Sequence, residues 1–231
     1  MVKGLVVPAE GFSAAEREAV YRAISERRDV RRGYLPDPLP EETLRRILGA
    51  AHRAPSVGLM QPWRFIVIRD RAVRAAVHAN FLRANEAAQA SYEGERKDQY
   101  SQLKLEGILE APQNVCVVCD PESVQGHRLG RHTMRETAIY SAVCAVENLW
   151  LAARAEGVGV GWVSILDPDV LQQTLHIPDG VVPVAYLCIG YVDEFASEPE
   201  LERSGWERRA PLESVLSFER YDDRWKAGER P

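Results

Sequence analysis

The stretch APSVGLMQPWRFIVIRD, residues 54–70, sets the frame for reading the chain. Pro55 and Pro62 fix φ and Gly58 is conformationally free, so residues 54–63 form a loop. RFIVIRD follows directly and is rich in β-branched and aromatic residues, which predicts a strand. The loop carries two polar groups, Ser56 and Gln61, beside apolar Leu59, Met60 and Trp63. A flat heteroaromatic ligand needs this mix, with apolar contact on its face and a few hydrogen bonds at its edge. A loop packed on the core has the same composition, so both readings stand at this point.

Working outward, three more apolar runs read as strands: NVCVVCD (114–120), VGVGWVSI (158–165) and VVPVAYLCIGYV (181–192). Between them lie helical patterns. Ser13 caps a helix from Ala14 to about Arg28, with Glu16 completing a capping box and Val20, Ala23 and Ile24 at helical spacing. Pro40-Glu41-Glu42 opens a second helix to about Arg53, with Leu44, Ile47, Leu48 and Ala51 as its buried stripe. From Ala72 to about Leu109 the chain reads as helical, but its middle is polar. Residues 86–108 therefore read as a lid. Thr133 to about Glu156 is a long helix whose Ile139, Val143, Val146, Leu149 and Trp150 make an apolar face. A short helix starts at Asp167-Pro168. Residues 192–231 form a polar extension expected to wrap over a neighbour. This order suits an α+β fold, a central sheet with helices on both faces. The 231 residues fit a single domain.

Composition excludes several classes. A net charge of -5 gives no global attraction to nucleic acid or anionic membrane. No apolar run approaches the roughly 20 residues needed to span a bilayer. MVKGLVVPAEGFS lacks the features of a signal peptide, so a cytoplasmic location is expected. Cys116 and Cys119 form C-x-x-C, but on a strand they face opposite sides and cannot easily share a metal. They read as buried thiols, as do Cys144 and Cys188. His127 and His132 lie in a loop with no carboxylate or thiol at ligand spacing, and no metal is expected.

Two further motifs carry chemistry. RRDVRR, residues 27–32, reads as a helix end on which Arg27 and Arg31 share one face and Arg28 and Arg32 another. Such guanidinium pairs can bind a phosphate dianion, or simply form a solvated basic helix end. Asp29 is then either the arginines' salt-bridge partner or a carboxylate aimed into a pocket. GVGVGWVSI, residues 157–165, looks like a dinucleotide fingerprint in the wrong context, since it leads into a strand. Gly157 reads as a helix stop, the other glycines as points of close approach. Ser164 lies near a strand end, where its hydroxyl can meet a ligand.

Taken together, Arg27-Arg28-Asp29-Val30-Arg31, Pro55 to Trp63, and Gly159-Val160-Gly161-Trp162 resemble the nitroreductase superfamily of FMN proteins. The likeness spans roughly residues 15–215. Asp29, where general nitroreductases usually carry Ser or Thr, and Leu59, where they usually carry Asn, resemble the branch that forms 5,6-dimethylbenzimidazole from FMN.

The resemblance implies a mostly antiparallel sheet flanked by helices, and a homodimer with a swapped terminal extension and FMN sites at its interface. It implies oxygen-dependent fragmentation of reduced FMN, which is the substrate, to 5,6-dimethylbenzimidazole and a four-carbon sugar phosphate, for cobalamin biosynthesis. Molecular oxygen is the co-substrate, and a separate reductase supplies reduced FMN. Asp29 and Ser164 are the implied catalytic pair. Arg27, Arg28 and Arg31 are implied at the phosphate, with Arg208 or Arg209 as a further ligand. Ser56, Gly58, Met60 and Gln61 are implied at the ring and ribityl chain. The alternatives are an NAD(P)H-dependent nitro- or quinone reductase on the same scaffold, and a non-catalytic flavin carrier.

Overall fold

The computed structural model describes residues 10–221. The N-terminal stretch before residue 10 and the last ten residues of the expected extension lie outside the described residues. The elements are α1 (Ala14–Glu26), α2 (Glu41–His52), β1 (Trp63–Ile68), α3 (Arg71–Ala90), α4 (Gly94–Gln102), β2 (Gln113–Cys119), α5 (Thr137–Ala155), β3 (Val158–Val163), α6 (Pro168–Leu175), β4 (Val182–Tyr191) and α7 (Glu200–Arg203). The four strands form one antiparallel sheet in the order β1-β2-β4-β3.

The sheet is covered on both faces, which explains why its strands read as continuous apolar runs. β2 is buried at every position. Val115, Val117 and Cys119 face a core built with α2 and α5, through Ile47, Ala51, Ala142, Val146 and Leu149. Cys116 and Val118 face the other core, with Val77 and Phe81 of α3 and Leu171 of α6. The two cysteines of C-x-x-C therefore lie on opposite faces, as strand alternation requires. Burial pushes the Cys116 thiol up to about 12 and that of Cys119 to about 11.

Local signals set the helix ends. Ser13 accepts from the Glu16 backbone N–H while Glu16 reaches back to Ser13 N–H. Asp167 caps α6 by accepting from Asp169 and Val170, with Pro168 at the first helical position. Gly157 stops α5 at a φ of +72°, which favours glycine.

The structure corrects three expectations. RRDVRR is not helical: α1 ends at Glu26, and Arg27 is already extended. The reason is tertiary. The Val30 N–H donates to the Val160 carbonyl at 2.9 Å, and Asp29 bridges to Val160 in parallel along β3's free edge. The helix expected to run to Leu109 stops at Ala90, resumes at Gly94 and ends at Gln102. Val20 and Ile24 of α1, which have the helical spacing read from the sequence, are exposed. Val143 and Cys144 of α5 are exposed too.

The glycines of β3 make the edge contact possible. A Cβ on Gly161 would collide with the Val30 carbonyl, and one on Gly159 would stand 3.2 Å from the Val30 side chain. Gly161→Ala is expected to lower unfolding free energy by about 1–3 kcal/mol, as overpacking commonly does. Urea unfolding checks this; a midpoint equal to that of the unsubstituted protein would show that the close approach is not required.

Candidate active site

Asp29, the one carboxylate of RRDVRR, is held on both oxygens. One oxygen accepts from the Trp162 backbone N–H at 2.8 Å. The other accepts from Arg31 twice, from Nε at 3.0 Å and Nη2 at 2.6 Å. Arg31 also donates to the Lys104 carbonyl at 3.1 Å, which ties the end of the expected lid to the same point. Charge-assisted bonds of this kind are short and fix a carboxylate's direction. Asp29, Arg28, Arg31 and Arg32 line a cleft of about 220 Å³ whose far wall is Asp193, Glu200 and Arg203.

An extended chain places alternate residues on one side, which suits the Asp29–Arg31 pair, whereas Arg27 meets α5. Their tasks differ. Arg27 lies over the Trp150 ring at 5.1 Å and pairs with Glu147 at 3.3 Å. Arg31 holds Asp29. Arg28 donates to the carbonyls of Ser25, Arg27 and Ser197, while its Nε is buried without a partner among the described residues. Burial lowers the Arg28 pKa, and the like charges of Arg154 and Arg209 add to this. Arg28, Arg154 and Arg209 thus act on one corner, where Glu26 pairs with Arg154 at 2.6 Å and partly offsets their charge. Of the two C-terminal arginines, Arg209 is the one that acts on Arg28; the Arg208 N–H bonds its neighbour Glu207.

Trp150 and Trp162 were not among the expected site residues. Trp150 Nε1 donates to the Arg28 carbonyl at 3.1 Å and so hangs the segment on α5. Its signal was present: a large indole on an apolar helix face still needs a partner for its N–H. Trp162 contributes only a main-chain donor to Asp29, which no side-chain pattern reveals.

Ser164 lies just beyond β3 and is exposed. It lines a separate cleft of about 340 Å³ with Trp162, Leu166, Leu171 and Tyr186. Trp162 is the element common to Asp29 and Ser164.

The loop before β1 has a strained backbone. Gly58, Leu59 and Gln61 all have positive φ, at 55°, 55° and 45°. Strain of this sort persists only where surroundings impose it. Here Ser56 Oγ accepts from Gln61 N–H at 3.1 Å, and Gln125 donates to the Leu59 carbonyl and to Gln61 Oε1. Leu59 is left 71% exposed. Met60 has its side chain buried in the core beside Trp63.

The loop and Asp29 do not meet within one chain. The loop feeds β1, whereas Asp29 lies outside β3 at the opposite edge, about 19 Å across the sheet by strand spacing. Along α5, the Val57 N–H bonds Ser141 and the Arg28 carbonyl bonds Trp150, nine residues or about 14 Å apart.

The nitroreductase family model matches residues 24–191. The chain belongs to the nitroreductase family. Within that class it is similar to 5,6-dimethylbenzimidazole synthase of Rhodospirillum rubrum, at 49% identity over 200 residues, 87% of this chain and 94% of the relative. It is also similar to the Rhodobacter capsulatus protein of the same name, at 42% over 203 residues, 87% of this chain and 97% of that one. The crystal structure of oxidized iodotyrosine deiodinase bound to FMN and 3-iodo-L-tyrosine shares the fold, with a TM-score of 0.65 and 22% identity over 77% of this chain and 91% of that one. No helix among the described residues is long and apolar enough to cross a membrane.

The Trp150–Arg28 bond predicts a measurable effect. Trp150→Phe keeps the aromatic body but leaves the Arg28 carbonyl unpaired. Stability should fall by about 1 kcal/mol and FMN affinity should weaken with it. Fluorescence titration with FMN is the check; an affinity equal to that of the unsubstituted protein would remove Trp150 from the account.

Proposed function

We propose that this chain fragments reduced FMN with oxygen, giving 5,6-dimethylbenzimidazole, the lower ligand of cobalamin, and a four-carbon sugar phosphate. The observation that carries this is Asp29, an anchored carboxylate beside an arginine-rich corner, in a chain 49% identical to a 5,6-dimethylbenzimidazole synthase. It is an oxidoreductase.

The residues fit a flavin mononucleotide. Arg28, partly desolvated beside Arg154 and Arg209 with a buried unpaired Nε, has a deficit of negative charge that a phosphate supplies. Arg27 extends that corner over Trp150. Exposed Leu59 offers an apolar surface, with Ser56, Gly58 and Gln61 framing it.

Bound reduced FMN supplies the electrons and the ring that oxygen breaks. The protein's part is positioning and proton transfer. Arg27, Arg28 and Arg209 hold the phosphate, so that the ribityl chain stays still while the ring reacts. Asp29 takes a proton from a ribityl hydroxyl, and Arg31 with the Trp162 N–H keeps its carboxylate aimed. Ser164 donates to the flavin edge. Residues 86–108, with Lys104 bonded to Arg31, form the lid that excludes water and strengthens the electrostatics inside.

The working unit is a homodimer. Phe12, Val20, Tyr21 and Ile24 near and on α1, with Tyr140 and Val143 on α5, form exposed apolar surface for a second copy to cover. A second copy also solves the geometric problem, since one chain's loop 56–61 can then reach the other's Asp29. The extension from residue 192 crosses to the partner. Reduced FMN arrives from a separate flavin reductase in the cytoplasm.

Purified protein mixed with reduced FMN in air is expected to yield the benzimidazole on chromatography. Asp29→Asn should still bind FMN yet lose about 10²–10⁴-fold of product formation, the usual worth of a general base. Intact FMN recovered with oxidation of added NAD(P)H would instead make the protein a reductase. Full product from Asp29→Asn would remove Asp29 from the chemistry.

A further inference from the structure

Between β2 and α5 the chain folds a second basic cavity of about 390 Å³, lined by Pro121, Glu122, Arg128, Arg131, His132 and Arg135. It shares no lining residue with the Asp29 cleft. We propose that this cavity is a second anion site, which takes the phosphate group of a small phosphorylated molecule. The inference does not rest on the reaction proposed above; only its test uses bound FMN.

Three observations carry it. The first is charge without compensation. Three guanidiniums and an imidazole face one carboxylate, Glu122, and none of these side chains has a hydrogen bond or ion pair among the described residues. The contrast with RRDVRR is direct, because Arg27, Arg31 and Arg32 there are paired with Glu147, Asp29 and Glu200.

The second is burial. Arg131 is only 9% exposed, and its Nε is buried with no partner. A desolvated, unpaired guanidinium donor is costly, and a phosphate oxygen is the acceptor that best relieves it. Arg135 stands one residue before Glu136, which precedes α5 and gives it no side-chain cap, so the helix dipole adds to the positive potential there.

The third is backbone. His127 and Arg128 have positive φ, at 50° and 60°, which non-glycine residues adopt at a cost. The segment is held so by packing on loop 56–61. Gly126 leaves no room for a Cβ against the Gly58 carbonyl, and Gln125 bonds the Leu59 carbonyl at 3.2 Å and Gln61 Oε1 at 3.0 Å. The strain directs Arg128 to the cavity, and the Gln125 bonds connect the cavity mechanically to loop 56–61.

Phosphate suits the site better than a carboxylate. It offers a second negative charge and enough oxygens for more than one guanidinium fork. The volume exceeds what a bare ion fills, so a phosphate monoester fits as well as free phosphate.

The test uses the full chain saturated with FMN, which blocks the first phosphate position. Inorganic phosphate is titrated in at low ionic strength and binding is followed calorimetrically. One saturable site per chain is expected. Arg135→Gln, an exposed position that folding should tolerate, is expected to weaken binding about tenfold or more, and Arg131→Gln at least as much. Repeating the titration with glycerol 3-phosphate separates the sources: tighter binding assigns the organic ester, equal binding the free ion. Absence of saturable uptake by the FMN-loaded protein would overturn the proposal, as would unchanged affinity in Arg135→Gln.

Discussion

An antiparallel sheet ends at β3, and an edge strand exposes unpaired main-chain groups. In this protein residues 28–31 lie along that edge. The Val30 N–H meets the Val160 carbonyl, and the Asp29 carboxylate meets the Trp162 N–H. The rest of the site depends on this docking. It ends α1, makes the chain extended, sends Asp29 and Arg31 to one side and places Arg28 under Trp150. It also requires the glycines of β3, because only a strand without side chains at 159 and 161 lets the Val30 backbone come so close.

Helix α5 is the second organising element. Its apolar face seals the sheet through Ala142, Val146 and Leu149, and its polar positions set the two functional segments. Ser141 holds Val57 and Trp150 holds Arg28. One rigid rod therefore fixes the spacing between the strained loop and the anchored carboxylate. That spacing separates them within a chain, and the proposed homodimer would bring one copy's loop to the other's carboxylate. The exposed apolar residues of α1 and α5 give the same indication from energetics.

Much of the fold was legible in the sequence because its signals are local. Apolar runs bounded by Pro, Gly and Asp gave four strands, and Ser13, Asp167 and Gly157 marked helix ends through chemistry that acts within a few residues. The nitroreductase likeness rested on three short motifs, and the family match agrees with it. What was not legible depends on distant partners. RRDVRR has good helix formers, yet the Val160 carbonyl, 130 positions away in the sequence, makes it extended. The turn at residues 91–93 interrupts a pattern that composition alone carried through to Leu109. Met60 and Leu59 are adjacent apolar residues, and only the strained turn decides that one enters the core and the other faces outward. The exposure of Val20, Ile24 and Val143 reflects an apolar periodicity that is real but not satisfied within the chain.

The central claim is that the edge-docked carboxylate of one chain and the strained loop of another meet on a single flavin. A crystal structure of the protein with FMN bound tests it most directly. The account predicts an Asp29 oxygen within hydrogen-bond reach of a ribityl hydroxyl, roughly 3 Å away, with the partner copy's loop 56–61 against the ring. A flavin bound with Asp29 turned to bulk solvent, or with both segments drawn from the same chain, would contradict it.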